Sequence, residues 1–319
     1  MGLLAKLQQH VKRVPGDRRF ARSPQFDEQL GFGEAEPRQS SIEELLEPPL
    51  RAIAVGDRDL AGDLEFFLDG IQRSWLLYYQ EGAPIYFGYG AAVIRQRCDR
   101  RMQTWSYQAQ EALYVALARL DSQEQERLQQ SGIPLVDTAT TADHPLMQCE
   151  AAREAIGRDR ERLEVHLARQ WLPTAAKGWL AIDGSLTGAA ETAGHSRTLG
   201  LIKSHNTQFF PAADQGQILA LAHGERSSAF VPRGRYPVCS WYLRLRAVGD
   251  RDPYFGLIRV ETAIANLPLA DTLSRWLLAE GRPLALPDSR WDKMIYPIRD
   301  CEQYLRSREP SRVNFGWLG

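Results

Sequence analysis

Two short apolar runs in this 319-residue chain each end on Asp-Gly, and this pair limits what the chain can fold into. The first is Leu64-Glu65-Phe66-Phe67-Leu68-Asp69-Gly70, the second Trp179-Leu180-Ala181-Ile182-Asp183-Gly184-Ser185. Runs this short, branched and aromatic, read as buried strands. A carboxylate at the end of a buried strand is held rigidly, and the glycine beside it admits a bulky, charged ligand. Between the two lies a helical stretch rich in Glu and Arg, and after the second comes Gly200-Leu201-Ile202-Lys203-Ser204. Two strand carboxylates and one from the intervening helix would make an acidic, oxygen-only metal site, which is the chemistry of phosphodiester cleavage.

Each of these residues also has a plainer reading. Asp-Gly is a common turn dipeptide, so Asp69 could simply close its strand. Against this, Arg73 follows four residues later and strand character resumes at Ser74. Asp183 carries the same ambiguity, with Gly184-Ser185 supplying small residues and open backbone N–H groups beside it. In Arg160 to Trp171, Leu163, Leu167 and Trp171 fall at i, i+4, i+8 and mark a buried stripe. Glu164 lies on the border of that stripe and can reach inward, while Glu161 points further toward solvent. Glu150, Glu154 and Glu161 are rivals, and exposed pairing with Arg is the plain alternative for all of them. Lys203 ends an apolar strand, where it either faces the carboxylates or reaches water at an open edge. Glu261 is either a neighbour of the site or half of a strand-surface pair with Arg259.

For nucleic-acid contact the chain offers Arg73, and then Arg95, Arg97, Arg100 and Arg101 with Trp105 and Tyr107 close behind. Cations interleaved with aromatics suit phosphate binding and base stacking, although a solvated face that packs Trp105 has the same composition. Of these, Arg73, Arg97 and Arg101 are the selected nucleic-acid candidates. The six histidines show no ligand spacing, and His195 and His205 read as structural or weakly phosphate-binding.

A formal net charge of -1 provides no global attraction to nucleic acid, so any such binding must be local. Cys98, Cys149, Cys239 and Cys301 lie far apart without C-x-x-C spacing, as expected of reduced thiols rather than disulfides or zinc ligands. There is no apolar run long enough for a membrane span, no signal-like N-terminus and no myristoylation pattern, so a soluble, cytoplasmic protein is expected. No P-loop pattern is present, which argues against the chain being a motor itself.

Residues 1–55 read as an N-terminal arm: Leu3, Leu4, Leu7, Val11 and Val14 fit a short amphipathic helix, and Pro15 to Gln39 a loosely ordered segment suited to partner or dimer contact. Residues 56–319 read as one mixed α/β domain. Strands are expected at 64–68, 74–80, 84–93, 178–182, 198–204, 239–248 and 254–262, the last two as a hairpin turning at Gly249 to Pro253. Leu113, Leu117 and Leu120 predict a helix over 107–130. Further helices are expected over 146–171, broken near Gly157, and at 269–280 and 297–306. A mixed sheet with helices on its faces is the architecture these imply.

The order of these motifs resembles the NurA nuclease family. The resemblance is carried by Phe67-Leu68-Asp69-Gly70-Ile71-Gln72-Arg73, the Arg/Glu helix, Leu180-Ala181-Ile182-Asp183-Gly184-Ser185-Leu186 and Gly200-Leu201-Ile202-Lys203-Ser204. Ile258-Arg259-Val260-Glu261 and Ile295-Tyr296-Pro297-Ile298 extend it over roughly residues 60 to 305. It implies an RNase H-like mixed sheet flanked by helices and a DNA nuclease dependent on Mn2+ or Mg2+. It also implies a homodimer docked on a HerA-type hexameric ATPase that resects DNA ends. Asp69, Glu164 and Asp183 would be the catalytic, metal-holding acids, and Lys203 the family's basic residue in the catalytic set. The family often places a His after the Tyr-Pro segment, where this chain has Arg299-Asp300-Cys301-Glu302. That departure leaves room for a catalytically inactive DNA-clamping or regulatory subunit. A third reading is an RNase H-like defence nuclease acting on RNA or displaced strands.

Overall fold

The computed structural model describes residues 3, 6, 9, 38–56, 62–99, 101–174, 177–281 and 293–310. Among them the chain runs β1 (Arg38–Gln39), β2 (Ile42–Leu45), β3 (Ala52–Ala54), β4 (Leu64–Gln80), β5 (Ala83–Cys98), β6 (Arg101–Val115), α1 (Ser122–Gln130), β7 (Leu135–Asp137) and α2 (Pro145–Trp171). There follow β8 (Trp179–Asp183), α3 (Ala190–Gly194), β9 (Thr198–Ile202), β10 (Thr207–Gln208), α4 (Ala212–Leu219), β11 (Glu225–Ser227), β12 (Phe230–Pro232), β13 (Cys239–Arg244), β14 (Leu257–Thr262), α5 (Ala270–Glu280) and α6 (Tyr296–Arg306). A 12-stranded sheet takes the order β2-β12-β13-β14-β9-β8-β4-β5-β6-β7, with β11 and β3 attached beside β13.

The centre of this sheet is a meander of three long antiparallel strands, β4, β5 and β6. The first hairpin closes on two residues, Glu81 and Gly82, both at positive φ, the backbone that matches the right-handed twist of the strands it joins. The crossover through α2 then lays β8 parallel to β4, and β9 follows parallel to β8. This is the expected mixed sheet with helices on its faces. The hairpin of β13 and β14 also forms as expected, antiparallel from Cys239 opposite Thr262 to Arg244 opposite Leu257.

Alternation along β4 separates the two faces of the sheet. Phe66 and Leu68 pack with Leu167, Ala168 and Trp171 of α2. Phe67 and Ile71 point the other way, toward Leu273 and Leu277 of α5 and Ile298, Cys301 and Leu305 of α6. Asp69 has the parity of Phe67 and so belongs to the α6 face.

Three expectations are corrected. The break expected between strands 64–68 and 74–80 is absent: β4 runs unbroken through Asp69-Gly70 for 17 residues, paired with β5 from Phe66 to Gln80. The helix expected over 107–130 is strand to Val115, then a short 3-10 turn at Leu117–Arg119, then α1. There the periodic leucines were misleading, since Ala112, Leu113, Tyr114 and Val115 form one continuous buried run, Leu113 and Val115 packing in one cluster and Ala112 and Tyr114 in another, and burial on both faces erases alternation. Finally, α2 runs straight through Gly157, whose missing side chain leaves room for Gln72 of β4.

Of the arm, β2 and β3 pair with β12 and β11 of the large sheet, and β1 with β10. Leu3 packs on the core under the β4–β5 hairpin, and Lys6 donates to the Gly132 carbonyl at 3.1 Å. Leu4, Leu7, Val11, Val14 and residues 15–37 lie outside the described residues. No helix among the described residues is long and apolar enough to cross a membrane.

Candidate active site

Because β4 continues past the end of its parallel neighbour β8, Asp69 in mid-strand comes beside Asp183 at a strand end. Both line a cavity of about 310 Å³, together with Lys203 from the chain just past β9. The side wall is built by the segment leading into α6 and its first turns: Lys293, Met294, Ile298, Arg299 and Glu302. Lys203 donates to Asp183 Oδ2 at 2.9 Å, and Lys293 donates to the Lys203 carbonyl at 3.3 Å. Arg299 Nη1 donates to Glu302 Oε2 at 2.6 Å.

Asp69 is buried and accepts the Gly70 N–H at 2.8 Å. Burial, and then the neighbouring charges of Asp183 and Glu164, push its carboxyl well above the usual carboxylate range, against the pull of Lys203. Glu164 approaches from α2, on the other face of the sheet, and meets the strand at Gly70. A Cβ there would meet Glu164 Oε1, so a larger residue would push the carboxylate from this position. Burial raises Glu164 to about 7 although Arg160, 2.5 Å away, opposes the rise; Asp183 adds to it. Arg160 also donates to Gln72 at 3.1 Å and to Glu161 at 3.3 Å. Glu161 is exposed, and so are Glu150 and Glu154.

The turn that carries Asp183 is fixed from behind. Gly184 takes φ +138 and donates to the Leu201 carbonyl at 2.9 Å. Glu261, buried on β14, accepts Ser185 Oγ and the Leu186 N–H, each at 2.8 Å, and pairs with Arg259. The choice left open for Glu261 thus resolves as a buried support beneath the Asp183 loop, paired with Arg259.

The structure therefore brings Asp69, Asp183 and Lys203 to one cavity and sets Glu164 against its edge at Gly70. It does not bring the arginine candidates there. Arg73 pairs with Glu309 at 2.9 Å, Arg97 grips Glu280 with two bonds of 2.6 Å, and Arg101 is exposed at the start of β6. Arg95 pairs with Asp300 at 2.6 Å; Arg100 lies outside the described residues. Trp105 packs edge-on against Phe66, and Tyr107 shares a hydroxyl contact of 3.2 Å with Tyr89. His205 Nε2 lies 2.8 Å from the Leu257 carbonyl between Tyr242 and Tyr254, a structural position. Lys293, Arg299 and Glu302 were missed as site residues. The sequence signal for Arg299 and Glu302 is the polar face that remains once Ile298, Cys301 and Leu305 mark the buried side of α6; Lys293, before the helix, has none.

The donor set fits a hard divalent cation: it is made of oxygens, and the charge of Asp183 raises the proton affinity of both Asp69 and Glu164, as expected where like charges face each other. Among the described residues no three acids, histidines or cysteines already stand as a closed ligand cluster. Asp183 and Glu164 instead carry Lys203 and Arg160 as internal partners.

No family model matches the chain, and no curated protein matches it. It is similar to a solved structure, that of the NurA nuclease from Sulfolobus solfataricus, with a TM-score of 0.45 and 12% identity over 78% of this chain and 81% of that one. At this level the likeness assigns no residue a role.

Proposed function

We propose that this cavity is the site of a divalent-cation-dependent DNA nuclease, in which Asp69 and Asp183 hold Mn2+ or Mg2+ with Glu164 beside them at Gly70. The observation that carries the reading is the pair of strand carboxylates in one cavity, with Asp69 held well above its usual range by burial and like charge. The chemistry such an ion supplies is Lewis-acid polarisation of a phosphoryl oxygen and a lowered pKa for water. The chain's own residues do the rest. Lys203 orients Asp183 and presents positive charge to a phosphate, and Glu261 holds the Asp183 loop rigid through Ser185 and Leu186. Met294 and Ile298 close the side of the cavity and limit water.

The sequence resemblance extends the reading to DNA ends as substrate, a homodimer, a HerA-type hexameric ATPase as partner, a role in end resection or defence, and a cytoplasmic setting. One observation favours a second reading, a DNA-clamping or regulatory subunit without catalysis: Asp183 and Glu164 are already ion-paired, and no closed ligand cluster stands among the described residues. Cleavage of end-labelled single- and double-stranded DNA with Mn2+, Mg2+ or EDTA separates the two, with and without a HerA-type ATPase. Metal-dependent cleavage that Asp183→Ala abolishes is the expected result. A folded wild type that binds DNA and never cleaves it would establish the clamp.

A further inference from the structure

Asp69, Asp183 and Glu164 share one arrangement: each has a single oxygen fixed by this chain. The Gly70 N–H holds Asp69 Oδ1 at 2.8 Å, Lys203 holds Asp183 Oδ2 at 2.9 Å, and Arg160 holds Glu164 Oε1 at 2.5 Å. Among the described residues the second oxygen of each accepts no hydrogen bond. A carboxylate fixed by one oxygen aims the other in one direction, which suits a hard cation shared by several acids. Gly70 and Lys203 belong to the cavity wall itself. Arg160 does not, and its place is built separately.

Ile156, Arg160 and Glu164 fall at i, i+4, i+8 and form one row along α2. Beneath this row the sheet is notched by glycine: a Cβ would meet Ile156 at Gly88, the Arg160 backbone at Gly90 and Glu164 at Gly70. Gly88 and Gly90 of β5 stand opposite Ser74 and Gln72 of β4, so the notches run alongside the strand that carries Asp69. The helix therefore lies close on the sheet, and Gly157 leaves room for Gln72 between them. Gln72 Oε1 accepts Arg160 Nε at 3.1 Å, while Nη1 of the same guanidinium holds Glu164. The rigid fork of a guanidinium fixes the angle between these two bonds, which the flexible ammonium of a lysine does not. We propose that Arg160, tethered by Gln72, is the positioning residue for Glu164: it holds the third acid in the one pose from which Glu164 reaches a cation shared with Asp69 and Asp183. This rests on the nuclease reading, in which those acids are the cation site.

The test is Mn2+ titration of the full chain, followed by the electron paramagnetic resonance signal of free Mn2+, with DNA cleavage measured in parallel. The sign of the effect discriminates. A guanidinium that only repelled the ion would, once removed, let Mn2+ bind more tightly, whereas loss of a positioning residue weakens binding. Arg160→Met should weaken Mn2+ binding about tenfold, and Gln72→Leu, which keeps the charge and loses the tether, about threefold. Arg160→Lys should fall between wild type and Arg160→Met. Cleavage should need correspondingly more Mn2+, while its rate at saturating Mn2+ stays within about threefold of wild type. In a Glu164→Gln background, Arg160→Met should change Mn2+ affinity by less than about twofold, because the residue acts through Glu164. Arg158→Ala, paired on the surface with Glu154, should bind as wild type. Circular dichroism melts without metal report the fold, and if Arg160→Met does not fold, Gln72→Leu and Arg160→Lys decide. Unchanged or tighter Mn2+ binding in these variants, or an effect undiminished in the Glu164→Gln background, would overturn the positioning role and leave the nuclease reading in place. The expected pattern of affinities in a chain that never cleaves DNA would overturn the nuclease reading and leave the positioning role. A wild type that binds no Mn2+ would overturn both.

Discussion

Asp69 and Glu261 are both buried acids on strands of one sheet, with only β8 and β9 between their strands, yet the fold treats them oppositely. Glu261 accepts a hydroxyl, a backbone N–H and an arginine, and Ser240 steadies that arginine in turn at 3.2 Å. Asp69 accepts the N–H of its own neighbour, and the groups that face it include two more carboxylates. A buried charge is tolerable when its lone pairs are satisfied and costly when they are not. Satisfied, the acid is part of the scaffold. Short of donors and beside like charges, it suits a cation, and such groups gather at functional sites.

The largest expected effect is on chemistry. Asp183→Ala or Asp69→Asn should lower metal-dependent cleavage about 10³-fold or more, some 4 kcal/mol of barrier, while circular dichroism and DNA binding stay as in wild type. Retained cleavage in either variant would erase the distinction between the two acids.

Glu261→Ala should behave in the contrary way, losing about 3–5 kcal/mol in urea unfolding, because it strands Arg259 in the sheet and frees the Asp183 loop. A stability loss below about 1 kcal/mol would show that Glu261 is no scaffold acid.

The contrast extends to a buried base. Burial holds His205 down to about 4 from 6.5, so between these values the unfolded chain binds a proton that the folded one refuses. Its contribution is therefore full above pH 6.5 and is lost as pH falls toward 4, on the order of 3 kcal/mol across that window. Urea unfolding of wild type and His205→Phe at pH 4.5 and 7 should show the variant with the flatter dependence. Parallel dependences would remove His205 from the account.

The smallest effect has the opposite sign to most mutations. Without metal, Asp69→Asn should stabilise the fold by about 1–2 kcal/mol, since it replaces a buried carboxyl whose charged form burial disfavours. Destabilisation of similar size would mean that the Asp69 environment is complementary to a carboxylate after all.

Much of this site was legible in the residue order. The two Asp-Gly ends, Lys203 closing β9 and Glu164 on the border of the α2 stripe are local patterns, and the fold places all four around one strand. What stayed hidden needed the third dimension. That β4 would run on past Asp69 depends on pairing with β5, which a turn-prone dipeptide conceals. The strand nature of residues 112–115 was masked because both of its faces are buried, Leu113 and Val115 in one cluster and Ala112 and Tyr114 in another. Lys293 and Arg299 could not be joined to the site from sequence, since they lie some 90 residues beyond Lys203 and meet it only when α6 docks on Phe67 and Ile71. The arginine cluster after residue 94 shows the reverse: suggestive composition that the fold uses for ion pairs with Glu280 and Asp300.

The most direct test of the central claim is isothermal calorimetry of Mn2+ binding to the wild-type chain at pH 6, repeated in two buffers of different ionisation enthalpy. If Asp69 and Glu164 hold protons that a cation displaces, Mn2+ binding should release protons, and Asp69→Asn should lower both the heat and the release. Mn2+ that fails to bind, or binds with no proton released, would contradict the account.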